Sequence, residues 1–350
     1  MKNVLLYCRP GFEKDCAGEI TELAASHGFY GYVRMQPKQG FVLFVMDKEE
    51  AGEQLIAELE FSKLIFARQI VAVNEPIVMG SGGRVEALLD AAKQLPLAQD
   101  LWIETADTNE GKGLAGLIKK LEKPLRLGWK KASLLRTKAV GIRHHLFLVT
   151  GELAYLGVSY ARCRSEFPLG IRRLRFPAKA PSRSTLKLEE AMHEFVPAKK
   201  WPVLLREGMT AVDLGAAPGG WTYQLVERGM RVTAIDNGPM GELLMATGLV
   251  DHQKADGFKF QPPKQVDWLV CDMVEKPQMV TELMAKWLSL GWTRRSIFNL
   301  KLPMKKRYQE VSTCLAMLTA ELDKAGRQYE VQAKHLYHDR EEITVCVICH

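Results

Sequence analysis

Residues 212–221, Val-Asp-Leu-Gly-Ala-Ala-Pro-Gly-Gly-Trp, constrain the fold of this chain more than any other stretch. The apolar run over 209–214 predicts a buried strand, and the spacing over 221–228 predicts a helix. Between them lies a turn of Gly, Ala and Pro. A strand–turn–helix of this kind presents bare backbone N–H groups at the carboxyl edge of a parallel sheet. Glycine lets a ligand approach that backbone because no Cβ stands in the way. The helix N-terminus adds a field that favours negative or polar ligand groups. The turn therefore implies a site for a small molecule containing a nucleoside.

The regular pattern around the turn predicts a doubly wound α/β sheet. A helix over 185–195 precedes seven strand-like runs, at 209–214, 231–236, 250–254, 266–271, 295–301, 329–336 and 342–348. Helical runs separate most of them. Only His338, Asp339, Arg340 and Glu341 join the last two, so the final strand is expected as an antiparallel hairpin partner. Residues 1–75 read β-α-β-β-α-β, a ferredoxin-like order. Residues 76–160 read as a second α/β module. Residues 161–181, with three prolines and no clean periodicity, read as a basic linker leading to a domain over 182–350.

The net charge of +7 conceals an asymmetry. Residues 119–143 hold nine Lys or Arg, including Lys138 and Arg143, against Glu122 alone. Residues 162–183 hold seven, including Arg164, against Glu166 alone. The remainder has 32 basic and 39 acidic residues. Two positive blocks on an acidic body suit a polyanion, and beside a nucleoside site they favour nucleic acid over a merely solvated face. Trp129, Phe167 and Phe176 lie within the blocks, where stacking on unpaired bases is an option. Seven scattered cysteines fit a reducing cytoplasm. The terminal Cys346-x-x-Cys349-His350 matches a haem-attachment pattern but sits in a strand-like run. No run is long enough for a membrane helix, and the N-terminal apolar run breaks at Arg9-Pro10 without a signal-peptide cleavage site. A cytoplasmic protein is expected.

Ligands in doubly wound sheets sit at the carboxyl ends of the strands. That rule selects the Gly turn, Asp236, Asp256, Asp272 and Lys301. Asp236 is placed to accept from ribose hydroxyls, and Asp256 stands beside Phe258, suited to an adenine. The turn is not Gly-x-Gly-x-x-Gly, which weakens a dinucleotide reading, and a hairpin seventh strand suits a methyltransferase sheet. Residues 182–190 (Ser-Arg-Ser-Thr-Leu-Lys-Leu-Glu-Glu), the 213–221 turn, Cys271-Asp272-Met273, Asn299-Leu300-Lys301-Leu302 and Arg340-Glu341-Glu342 stand in one order. In that order residues 182–350 resemble the FtsJ-like ribose 2′-O-methyltransferases.

The resemblance implies a Rossmann-like methyltransferase domain that binds S-adenosylmethionine and a Lys-Asp-Lys-Glu tetrad. By motif the tetrad falls on Lys187, Asp272, Lys301 and Glu342, with Glu341 the rival for the last place. It also implies cofactor contacts at Ser184, Gly215, Ala217, Pro218, Gly219, Gly220, Trp221, Asp236, Asp256 and Asp272, and no metal. Residues 1–160 resemble the ferredoxin-like and THUMP modules of RNA-modifying enzymes. The whole chain is similar to bacterial enzymes that methylate a cytidine 2′-hydroxyl in 23S rRNA, which implies a monomer acting on naked or assembling ribosomal RNA. Crowding two lysines in a partly dry cleft disfavours the charged form, so Lys301 is expected as general base beside Lys187, with Asp272 and Glu342 orienting the pair.

Three rivals carry less. Base amino-methyltransferases usually carry Asn/Asp-Pro-Pro-Tyr where this chain has Asp272-Met273-Val274-Glu275. Carbon-5 methylation needs a nucleophilic cysteine, and Cys271 is expected to face the core. A non-catalytic RNA-binding protein explains the basic blocks but not Lys301. His335-x-x-His338 alone reads as structural rather than metal-binding.

Overall fold

Two β-sheets carry the chain, one in each of two units, Met1–Arg172 and Arg173–His350. The computed structural model describes residues 1–80, 82–136 and 141–350. Ser81, within the Gly-rich stretch 80–83, and Lys138 of the first basic block lie outside the described residues.

The first unit opens with the expected β-α-β-β-α-β order. Its elements are β1 (Asn3–Tyr7), α1 (Glu13–Ser26), β2 (Gly31–Arg34), β3 (Phe41–Met46), α2 (Ala51–Glu58) and β4 (Gln69–Val73). After these come β5 (Ile77–Val78), α3 (Arg84–Ala92), β6 (Asp100–Thr105), α4 (Asn109–Gly113), α5 (Ala115–Lys131), β7 (Ile142–Leu148) and β8 (Leu153–Tyr160). One sheet of order β2-β3-β1-β4-β8-β7-β6 runs through all of it, because β4 pairs with β8 at Ala72↔Val158 and Val73↔Gly157.

The apolar spacing from Leu64 to Val73 predicts one strand for the last place in the β-α-β-β-α-β order, but β4 begins only at Gln69. The reason is Glu19 on α1, whose carboxylate accepts the N–H groups of Ile65, Phe66 and Ala67. Those donors are spent on a buried carboxylate and not on a ladder. Trp129 is a second correction. It is fully buried in the core beneath α5, and its indole N–H donates to His144 Nδ1 at 2.9 Å. The apolar stripe of α5 needs a large side chain there, so Trp129 is unavailable to a base.

The second unit begins with α6 (Thr185–Phe195) and α7 (Trp201–Leu204) and then alternates. It contains β9 (Thr210–Leu214), α8 (Gly220–Val226), β10 (Arg231–Ile235), α9 (Glu242–Met245), β11 (Val250–Gln253) and β12 (Trp268–Cys271). It closes with α10 (Pro277–Ser289), β13 (Arg295–Lys301), α11 (Arg307–Lys324), β14 (Tyr329–Lys334) and β15 (Glu342–Cys349). The seven strands stand in the order β11-β10-β9-β12-β13-β15-β14. The first five are parallel and β15 is antiparallel to both neighbours, as the hairpin reading expects.

β12 is buried throughout, and β9 and β13 are buried apart from end residues, as strands covered on both faces must be. Leu188, Met192 and Phe195 of α6 and Leu225 of α8 pack with Val232, Trp268 and Val270 on one face. The chain builds outward from β9 to β11, then returns to lay β12 on the other side of β9. That switch opens a crevice at the carboxyl ends of β9 and β12, where the register sets Leu214 opposite Cys271. Gly215 and Asp272 therefore begin the two walls of one cleft.

Candidate active site

The cleft's first wall is the Gly turn. Gly215 N–H donates to Ile235 O, which ties the start of the turn to β10. The Ala217–Pro218 bond is cis, and Gly219 has φ +110°, a conformation that side-chain-bearing residues rarely adopt. A Cβ on Gly219 would also meet Leu244 and Met240, and one on Gly220 would meet the hydroxyls of Ser182 and Ser184. Glycine at 220 thus lets the turn before α6 lie against the first residue of α8. Ser184 sits in that turn, its hydroxyl 2.6 Å from that of Ser182. Asp236 closes the turn from β10 and accepts from Ala217 N at 3.0 Å and Gly238 N at 2.7 Å. Asp256, after β11, caps its own turn through Phe258 N and keeps an exposed carboxylate.

Trp221 departs from expectation. Its side chain is buried in the core on α8, so only its backbone can face a ligand. Beneath the turn, Asp213 is buried. One of its oxygens accepts from Thr222 Oγ1 at 2.6 Å, and the other has no hydrogen-bond partner. Burial pushes the Asp213 carboxyl up to about 7 despite the Thr222 bond, with a further upward push from Asp272. The bare turn, the half-buried Asp236 and exposed Asp256 carboxylates at the ends of β10 and β11 and this orphaned oxygen fit a polar ligand carrying positive charge and ribose hydroxyls, as S-adenosylmethionine does.

The second wall brings the four tetrad residues together. Lys187, in the first turn of α6, lies 3.0 Å from one Asp272 oxygen and 3.2 Å from the other. It is also 2.7 Å from Glu342 Oε1. Lys301 is bonded to the other oxygen of the same carboxylate, Glu342 Oε2. The backbone dictates this meeting, because Lys301 and Glu342 are direct cross-strand partners on β13 and β15. Burial pulls the Lys187 ammonium pKa down, but Asp272 and Glu342 outweigh it and the net shift is upward. Burial raises the Glu342 carboxyl, and the bonds and charges of Lys187 and Lys301 more than reverse that, leaving it lowered. Glu341, by contrast, points outward to Arg307 at 2.9 Å. Side-chain exposure rises from 3% at Glu342 through 14% at Lys187 to 27% at Lys301, so Lys301 faces the cleft mouth.

Sequence reasoning passed over the residues that hold this set. Asn299 Nδ2 donates to Asp272 Oδ1 at 2.9 Å, and Thr344 Oγ1 lies 2.8 Å from Asn299 Oδ1. Asn299 and Thr344 are the cross-strand pair two residues inward from Lys301 and Glu342, hence on the same face. The period of two was the available signal. Glu190, one turn beyond Lys187 on α6, accepts from Tyr337 N, His338 N and the His338 ring, fastening the β14–β15 loop to the helix. His335 faces the Arg340 carbonyl, and no group of three or more metal-ligating side chains occurs among the described residues.

Cys271 is fully buried, and burial pushes its thiol up to about 12, so it supplies no thiolate for carbon-5 chemistry. A hollow of about 450 Å³ lined by Thr210, Arg231, Thr233 and Lys264 opens at the amino ends of the strands, away from all of these groups.

The basic blocks are partly redistributed. Lys119, Lys120, Lys123, Lys130 and Lys131 are exposed on α5. Arg143 and Arg164 are instead buried and bonded to Glu166, with Arg143 also 3.6 Å from the Trp102 ring centroid. One carboxylate thus offsets part of those two charges. Arg162, Arg173, Arg175, Lys179 and Arg183 are exposed, Phe176 is exposed beside Arg183, and Arg172 covers the Phe167 ring.

Family models match three segments. Residues 1–71 match the RlmM ferredoxin-like domain, residues 83–160 the N-terminal region of ribosomal RNA large subunit methyltransferase M, and residues 180–341 the FtsJ-like methyltransferase. A ribosomal RNA large subunit methyltransferase M from Marinomonas sp. (strain MWYL1) is 67% identical, with 99% of both chains covered. The protein of that name from Cellvibrio japonicus (strain Ueda107) is 51% identical, with 98% of both covered. With identity of this order along its whole length, the chain belongs to the ribosomal RNA large subunit methyltransferase M family.

Proposed function

We propose that this methyltransferase transfers a methyl group to the ribose 2′-hydroxyl of a cytidine in large-subunit (23S) ribosomal RNA, with Lys301 as general base. S-adenosylmethionine is the cofactor and supplies, when bound, a methyl group on a sulfonium. Gly215, Ala217, Pro218, Gly219, Gly220, Asp236 and Asp256, with Ser184, Asp272 and the backbone at Trp221, would hold it. The relatives' name supplies the RNA, and the choice of cytidine rests on the resemblance of the whole chain.

The single observation that carries the reading is the shared Glu342 carboxylate, one lysine on each oxygen. A ribose hydroxyl attacks only as its proton leaves, and a lysine accepts that proton only as the neutral amine. Lys187, clamped by two carboxylates, stays an ammonium that can steady the developing alkoxide. Lys301, with Glu342 as its carboxylate partner and nearest the mouth, loses its own proton to solvent and then takes the 2′-hydroxyl proton on Nζ. The oxygen–carbon bond forms as the sulfur–carbon bond breaks. Positioning and a water-poor cleft favour this step, because charge is destroyed as the methyl group moves.

Lys301→Ala tests the assignment. Methyl transfer from labelled S-adenosylmethionine to unmodified rRNA should fall by about 10²-fold or more, the usual scale for a general base. Cofactor affinity should stay within about twofold. Near-normal transfer by the variant overturns the mechanism. Wild-type protein that binds cofactor and rRNA without transfer would make the chain a binding module.

A further inference from the structure

Asp339 is fully buried in the β14–β15 loop and has no place in the tetrad. One of its oxygens, Oδ2, accepts from Leu336 N at 3.1 Å. Thr344 Oγ1 lies 2.9 Å from Asp339 Oδ2, 3.1 Å from Asp339 Oδ1 and 2.8 Å from Asn299 Oδ1. A hydroxyl has one proton, and three acceptor oxygens surround this one.

The protons can be assigned from the tetrad inward. Asp272, paired with Lys187, is a carboxylate and only accepts, so the Asn299 group at 2.9 Å from it must be the NH₂. Asn299 Oδ1 then faces Thr344 and needs a donor, which is the Thr344 hydroxyl. With that proton spent, Asp339 can meet Thr344 Oγ1 favourably only by donating. Oδ2 is occupied by the Leu336 N–H, which leaves Oδ1 to carry the proton.

We propose that Asp339 is a neutral acid and a positioning residue, the head of a one-way hydrogen-bond chain Asp339→Thr344→Asn299→Asp272 that fixes the carboxylate holding Lys187. The inference rests on the tetrad reading and deepens it. The charges that bear on Asp339 come from Glu190 and Lys187 on α6 and from Glu342 on its own hairpin. Burial first, then Glu190 and Glu342, hold its carboxyl well above the ordinary range, which agrees with the proton count.

Infrared difference spectra of wild type against Asp339→Asn at pH 8 read the protonation directly. A carboxylic-acid carbonyl band present in wild type and lost in the variant is expected; no such band overturns the inference. Kinetics read the chain. Thr344→Val should lower kcat by about tenfold with the KM for S-adenosylmethionine unchanged, and Thr344→Ser should restore it. Asp339→Ala should lower kcat similarly, and Asp339→Asn, which can donate from its amide and accept Leu336 N, should recover at least half of that loss. Wild-type kcat in Thr344→Val, or Asp339→Asn as impaired as Asp339→Ala, overturns it. Lys301→Ala separates the two proposals: if that variant stays active the tetrad reading fails, while the infrared band still reports on Asp339.

Discussion

Lys187 and Lys301 differ by one carboxylate, and that difference sorts their roles. Glu342 is the residue both depend on. Glu342→Gln keeps the shape but leaves two ammonium groups facing a neutral amide, so transfer should fall by about 10²-fold or more while Glu341→Gln stays within about twofold. Equal losses would contradict the geometry. Asp213 makes a pH prediction. Its folded pKa of about 7 lies above its ordinary 3.8, so its contribution to stability is greatest at low pH and is lost as pH rises between those values. At 1.36 kcal/mol per unit the cost above pH 7 is about 4 kcal/mol. Asp213→Asn should flatten the melting temperature between pH 5 and pH 8, and an unchanged slope would refute the assignment. Glu342 acts oppositely: its lowered pKa gives stability above the ordinary value that is lost on acidification.

At the scale of elements, α6 and the β14–β15 hairpin are held in register by Glu190. Glu190→Ala strands the Tyr337 and His338 amides and should cost about 2–3 kcal/mol, read as a lower urea midpoint with reduced transfer. Stability within 0.5 kcal/mol of wild type, by rough convention for neutral surface changes, would show the latch to be idle. Much of this level was legible in the sequence. The apolar periods announced the seven strands and the hairpin, and the strand-end rule picked out Asp236, Asp256, Asp272 and Lys301. Lys187 and Glu342 came only through family resemblance. What escaped was long-range. Asn299 and Thr344 become partners only once β13 and β15 choose a register, and Glu190 meets the loop from 147 residues away. Trp129, Arg143 and Arg164 were misread as surface because composition cannot say which side of a helix or strand packs. The truncated strand before Gln69 depended on a carboxylate 46 to 48 residues distant.

For the whole molecule, the exposed lysines of α5 form a positive face, with a stripe at helical spacing through Lys119, Lys123 and Lys130. Phosphate contacts made there are sequence-independent and release counterions. Replacing all three with Ala should weaken rRNA binding and reduce the slope of log K against log salt by up to about 3, with cofactor affinity unchanged. An unaltered slope would move the RNA path elsewhere. The central claim is chemical, and product analysis tests it most directly. Unmodified 23S rRNA, incubated with the protein and methyl-labelled S-adenosylmethionine, is digested to nucleosides and the label located by mass spectrometry. Label on the ribose of one cytidine, with the following phosphodiester resistant to alkali because its 2′-hydroxyl is blocked, is the expected result. Label on a base, with that linkage still cleaved, would contradict the account.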